Sequence, residues 1–298
     1  MAVALGLALV VIGCAGPEGF WRDQYVFVGD EGTVVPLGVL RWSDGRAEVK
    51  GWLGQGERWQ TSMHHRFAIL GRDAPSVERA LAALSTSTGA PARVTLDAAA
   101  GDAGPVRVRI RTATRDVVLS AGELHALGES TDPEGTSTYR AGRGRLRSGQ
   151  TQESGWLVVE STPAERPKRS FVDYGDYALV LAASRERGVL VVERSLDVPG
   201  FDRAFVGDAS ATAGSGASAG SGAGSARQTA GVTAEVGAER LRVRLPGLGV
   251  ETSLSIADRG TSRGVDPKGR AVRYETLLLR GDYSGVAFLI HRESGGAT

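Results

Sequence analysis

Along most of the chain, short apolar runs with a period of two are cut by turn residues. Trp21–Val28, Val34–Trp42 and Arg46–Leu53 are β-rich runs separated by Gly-Asp-Glu-Gly and Ser-Asp-Gly, residues that take tight-turn conformations. In Pro105–Thr112, Val106, Val108 and Ile110 alternate with Arg107, Arg109 and Arg111. In Glu239–Leu245, Leu241, Val243 and Leu245 alternate with Arg240, Arg242 and Arg244. Strict alternation predicts antiparallel strands with one buried and one wet face. Three other runs are continuously apolar and end in charge: Gly155 to Glu160, Gly188 to Glu193 and Gly285 to Glu293. Strands of that kind need cover on both faces. Their likeness also reads as a weak internal repeat. Only Pro75–Leu84 has helical spacing, with Val77, Ala80, Leu81 and Leu84 in one stripe. The predicted fold is mainly β: an antiparallel barrel or sandwich, or two lipocalin-like barrels, with one short helix.

Length and composition narrow the classes. The chain has 298 residues and 41% apolar residues, enough for one large or two small cores and too apolar for wholesale disorder. A formal net charge of +1 removes any general electrostatic case for nucleic acid. Arginine outnumbers lysine 32 to 3 and asparagine is absent. That skew reads as coding bias, and it excludes Asn-linked glycosylation. One cysteine excludes an intramolecular disulfide and a cysteine-cluster metal site. No cofactor or metal is implied.

The N-terminus gives that cysteine a role. Residues 3–13 are apolar or glycine and uncharged, about half of what a spanning helix needs and the length of a signal-peptide core. Val11-Ile12-Gly13-Cys14 resembles the lipobox of bacterial lipoproteins. The resemblance implies cleavage before Cys14, acylation of its thiol and a place in the cell envelope, bound to the membrane by lipid. With two membranes, Ala15 after the cysteine implies the outer one. Met1-Ala2 lacks the basic residue that opens such signals. The predicted organisation is a signal peptide (1–13), a lipidated tether (14–20), a main β domain (21–208), a Gly/Ala/Ser-rich linker or loop (209–231) and a C-terminal β segment packed on the main domain (232–298).

Candidate chemistry is sparse. Phe20–Phe67 holds Trp21, Trp42, Trp52 and Trp59. They form either the wall of a cavity for an apolar or amphipathic small molecule or the filling of a core. Glu57 is followed by His64 and His65, which make an acid–base pairing conceivable. Adjacent strand residues point to opposite faces, so the two histidines do not share one ion. Glu160 and Glu193 end matching apolar runs. On neighbouring strands they would form a paired-carboxylate site; otherwise they are charges at a strand's exit into solvent. The arginine stripes suit phosphate or carboxylate groups, such as anionic head groups or acidic glycans. Gly216-Ala-Ser218-Ala-Gly220 matches a hydrolase motif only formally, inside the Gly/Ala/Ser run. The favoured reading is a non-enzymatic, lipid-anchored envelope protein binding an amphipathic ligand or an envelope protein. The alternatives are a hydrolase or hydratase using a Glu/His pair, and a purely structural module.

Overall fold

The computed structural model describes residues 20–42, 47–55, 58–67, 93–97, 105–111, 116–132, 135–164, 176–195, 202–208, 226–265 and 271–292. Cys14, Glu57 and the expected helix at Pro75–Leu84 lie outside them. Among the described residues, no helix is long and apolar enough to cross a membrane.

The described strands form two antiparallel sheets. The first is built from β1 (Phe20–Gly29), β2 (Val34–Trp42), β3 (Ala47–Gln55), β4 (Arg58–Phe67), β5 (Arg93–Asp97), β6 (Val106–Arg111), β7 (Asp116–Ala121), β8 (His125–Asp132), β9 (Gly135–Ser148) and β10 (Thr151–Ala164). Its order is β4-β3-β2-β1-β10-β9-β7-β6-β5, with β8 beside β9. The last strand returns to the first, with Phe20 opposite Ala164 and Gly29 opposite Gly155. The two ends of this order, β4 and β5, are consecutive in the chain. The path is that of an up-and-down barrel left open between them.

The second sheet repeats the path. It contains β11 (Tyr177–Ser184), β12 (Gly188–Ser195), β13 (Asp202–Gly207), β14 (Arg227–Ala230), β15 (Thr233–Val236), β16 (Arg240–Leu245), β17 (Val250–Val265), β18 (Ala271–Arg280) and β19 (Ser284–Arg292). The order is β14-β13-β12-β11-β19-β18-β17-β16-β15. Again the last strand pairs with the first. The opening lies between β14 and β15, which only Gly231 and Val232 connect. Gly231 takes a positive φ of 71°, a conformation open to glycine at no steric cost. Two of the three repeat runs therefore sit in equivalent strands, β10 and β19. The third, β12, lies next to a first strand.

The doubly apolar runs are explained by layering. Val26, Val28, Trp156 and Val158 pack with Leu179, Leu181, Val189, Val191 and Val286 of the second sheet in one core. That core is the seam between the sheets. The alternate residues Phe27, Leu37, Leu157, Leu119 and Leu146 are also fully buried, on the opposite face of the first sheet. On the second sheet, Val180, Ala182, Leu190 and Val192 join Leu241, Val243, Leu277 and Leu279 in a separate core. β16 keeps the predicted alternation, with Leu241, Val243 and Leu245 buried and its arginines exposed.

The two sheets meet in the chain inside the segment read as the main β domain (21–208). The change of sheet falls between Ala164 and Tyr177. The Gly/Ala/Ser run lies between β13 and β14, neighbours in one sheet with Val206 opposite Arg227. The segment after it completes that same sheet. A low-complexity run marks a place where the chain need bury nothing, and a hairpin connection meets that condition as well as a domain boundary does.

Candidate functional site

At one end of the seam, polar side chains replace the apolar ones. Tyr139 of β9 stands directly opposite Glu160 of β10. Alternation with Trp156 and Val158 places Glu160 on the seam face. Glu193 shares a face of β12 with Val189 and Val191, both seam residues. The Tyr139 hydroxyl donates to Glu193 Oε2. The Tyr177 hydroxyl, from the start of β11, donates to Glu193 Oε1 at 2.7 Å. On the far side of Tyr139, the Thr162 hydroxyl donates to Glu160 Oε1 at 3.3 Å. Thr162 also shares a 2.7 Å hydrogen bond with Ser137. The Tyr139 ring lies 5.0 Å from that of Phe205. The cluster thus draws on both sheets, close to where the chain passes from one to the other.

The cluster is sealed among the described residues. Tyr139 and Glu160 have no exposed surface, and Glu193 and Tyr177 retain 2% and 3%. Burial pushes the Tyr139 hydroxyl well above the usual tyrosine range. The charges of Glu193 and Glu160, then Tyr177 and the hydrogen bond to Glu193, add to the rise. The phenol therefore keeps its proton and serves as a donor to Glu193. Glu193 thus accepts from two hydroxyls of different strands, and Glu160, whose charge is felt at the same phenol, accepts from Thr162.

Glu160 and Glu193 are thus brought together. The reading of them as charges leaving a strand into solvent does not hold, because both are buried. Arg194, next to Glu193 in the chain, lies 3.7 Å from Asp202. Trp21, Trp42, Trp52 and Trp59 are distributed one to a strand over β1, β2, β3 and β4. His64 and His65 are successive residues of β4, opposite Lys50 and Val49 of β3. Their pairing with Glu57 falls outside the described residues. The fifth tryptophan, Trp156, fills a core position. Its indole N–H donates to the Ser184 carbonyl at 3.1 Å, and the Arg143 guanidinium lies 5.4 Å from its ring centroid. Among the described residues, no group of His, Cys, Asp and Glu is arranged to hold a metal ion.

Sequence reasoning missed Tyr139 and Tyr177. Tyr139 follows Thr136-Ser137-Thr138 and precedes Arg140, so its strand looks polar throughout. The usable signal was position: Tyr139, Ala141 and Arg143 alternate in β9 as the residues of the arginine stripes do. No family model matches the chain, and no curated protein matches its sequence. Solved structures of similar overall path do exist. One is a protein assigned as AttH from Nitrosomonas europaea, 13% identical, with 91% of each chain covered and a TM-score of 0.46. Another is kievitone hydratase from Nectria haematococca, 9% identical over 92% of this chain and 89% of that one, with a TM-score of 0.43. A third is CghA, 13% identical over 95% and 90%, with a TM-score of 0.46. Likeness of this degree carries no function from those proteins to this chain.

Proposed function

We propose that this chain is a lipid-anchored protein of the cell envelope that performs proton-transfer chemistry, of the hydratase or hydrolase kind, on a small amphipathic molecule that must part the packing around the buried cluster to reach it. The observation that carries this reading is the meeting of Glu193 and Glu160, from different sheets, around the Tyr139 hydroxyl. Adding or removing water needs one group to give a proton and another to take one. Glu193 would hold the proton-accepting role, Tyr139 the relay and Glu160 the second acid–base position. Burying carboxyl groups among valine and leucine is costly, and sites of chemistry are where such arrangements concentrate. Anchoring rests on the lipobox-like Val11-Ile12-Gly13-Cys14; two or three acyl chains hold a protein on a membrane stably.

The test uses the full chain in detergent micelles, incubated with envelope lipid extract in heavy-oxygen water. Wild type should produce labelled product, and Glu193→Gln should produce none. Absence of label with wild type, or equal labelling with the variant, overturns the enzymatic reading. A second reading is favoured by the complete burial of Tyr139: a non-enzymatic binder in which the cluster locks the two sheets. Under that reading Glu193→Gln lowers stability, no labelled product forms, and lipid extract changes the tryptophan fluorescence. Anchoring is tested separately. Cys14→Ser should accumulate as unmodified precursor; continued labelling with a palmitate analogue would refute it.

A further inference from the structure

The outer face of the first sheet carries a second feature, built from two cross-strand rows. In one row Arg107 of β6, Ser120 of β7 and Arg145 of β9 stand side by side. In the next, Arg109, Val118 and Arg147 do the same, and Gln152 of β10 follows Arg147. The middle strand contributes small side chains and its two neighbours contribute long ones, so the rows form a trough of about 290 Å³. Strands two spacings apart lie roughly 9.5 Å from each other, within reach of arginines leaning in from both sides. Arg107, Arg145 and Arg147 are all exposed.

Charge on this face is unbalanced. Asp116 takes Arg109, whose Nε donates to it at 2.9 Å, and lies 3.7 Å from Arg111. The Arg109 hydrogen bond first, with Arg111 and Arg147 adding at longer range, holds the Asp116 carboxyl below its usual range. Asp97 of β5 stands opposite Arg107, and among the described residues no carboxylate forms an ion pair with Arg145 or Arg147. Guanidinium groups present planar forks of donors that fit the oxygens of a phosphate. Ser120 and Gln152 supply neutral donors at the floor and end of the trough.

We infer that this trough is a binding site for a phosphate group, gripped by Arg107, Arg145 and Arg147 with Ser120 and Gln152. The inference does not depend on the seam chemistry. The phosphate could belong to a soluble ester or to a lipid head group, and two ligands separate these sources. The full chain in detergent micelles is titrated with inorganic phosphate and with short-chain phosphatidic acid by calorimetry. Binding of both with similar affinity assigns a soluble phosphate, and at least tenfold tighter binding of the lipid assigns a head group; either supports the site. Arg145→Gln and Arg147→Gln should each weaken binding about tenfold, the scale of one charge-assisted hydrogen-bonded contact. Arg111→Gln, outside the trough, should change it little. Both trough arginines are exposed, so the thermal midpoint should stay constant and report that folding is intact. Failure of both ligands to bind wild type, or binding by Arg145→Gln and Arg147→Gln equal to that of wild type, overturns the inference.

Discussion

Tyr139 is where a single atom connects the two sheets. Its hydroxyl donates to Glu193, and Tyr139→Phe leaves that buried carboxyl group with one donor fewer. The expected cost is about 1–3 kcal/mol, read as a lower denaturation midpoint in urea. The same residue sets an alkaline limit. Its folded-state pKa is raised above the ordinary value near 10, so its contribution to stability is complete below pH 10. Above that, the unfolded chain loses the proton first and stability falls as pH rises. Tyr283, raised chiefly by burial, acts in the same direction. Thermal midpoints measured from pH 8 to pH 11.5 should decline beyond about pH 10, and less steeply in Tyr139→Phe. At this scale the sequence disclosed the glutamates but not their setting. A charge closing an apolar run at Glu160 or Glu193 is visible in the order of residues. Whether water or another sheet lies beyond it depends on residues distant in the chain: Glu193 meets Tyr139, 54 positions before it.

Individual strands were more legible than their neighbours. β1, β2, β3, β6 and β16 fall close to where alternation and turn residues placed them, because period two is a local property. The pairing of β1 with β10 and of β11 with β19 has no local signature. It shows instead in two glycines. A Cβ on Gly155 would run into the Val28 carbonyl oxygen, and one on Gly285 into that of Leu181. Each glycine lets a last strand lie against its first. Gly155→Ala and Gly285→Ala should each destabilise by roughly 1–3 kcal/mol, the usual cost of overpacking. Gly122→Ala is the control, since a Cβ there meets nothing within 4 Å. Equal denaturation midpoints for all three variants would contradict the close approach.

For the molecule as a whole, the described strands form two sheets with a seam between them, and the Gly/Ala/Ser run falls between neighbouring strands of the second. Composition located a stretch that buries nothing, but composition does not distinguish a boundary from an insertion. Pairing does: Val206 and Arg227 face each other across β13 and β14. Replacing residues 210–224 with a short turn should therefore leave the ladder intact and the thermal midpoint unchanged or slightly higher, since a shorter loop costs less entropy to close. A fall of several degrees would mean that the run has structural work of its own. The two-barrel expectation rested on length and strand content. It is met by two open barrels, sharing one path, back to back.

In both halves the strand made first must wait for the strand made last. Phe20 pairs with Trp42 early but finds its second partner only when Ala164 exists, and Tyr177, opposite Ser195, only when Ile290 does. Each of those first strands is apolar on both sides, and the seam needs both halves before its own faces are covered. Contacts of such long sequence separation form slowly. During synthesis the chain can therefore hold hairpins but not a finished barrel, and it completes its fold as a late, concerted event. Under the lipid anchoring proposed above, that delay would keep the chain in a form that can still be threaded through a membrane.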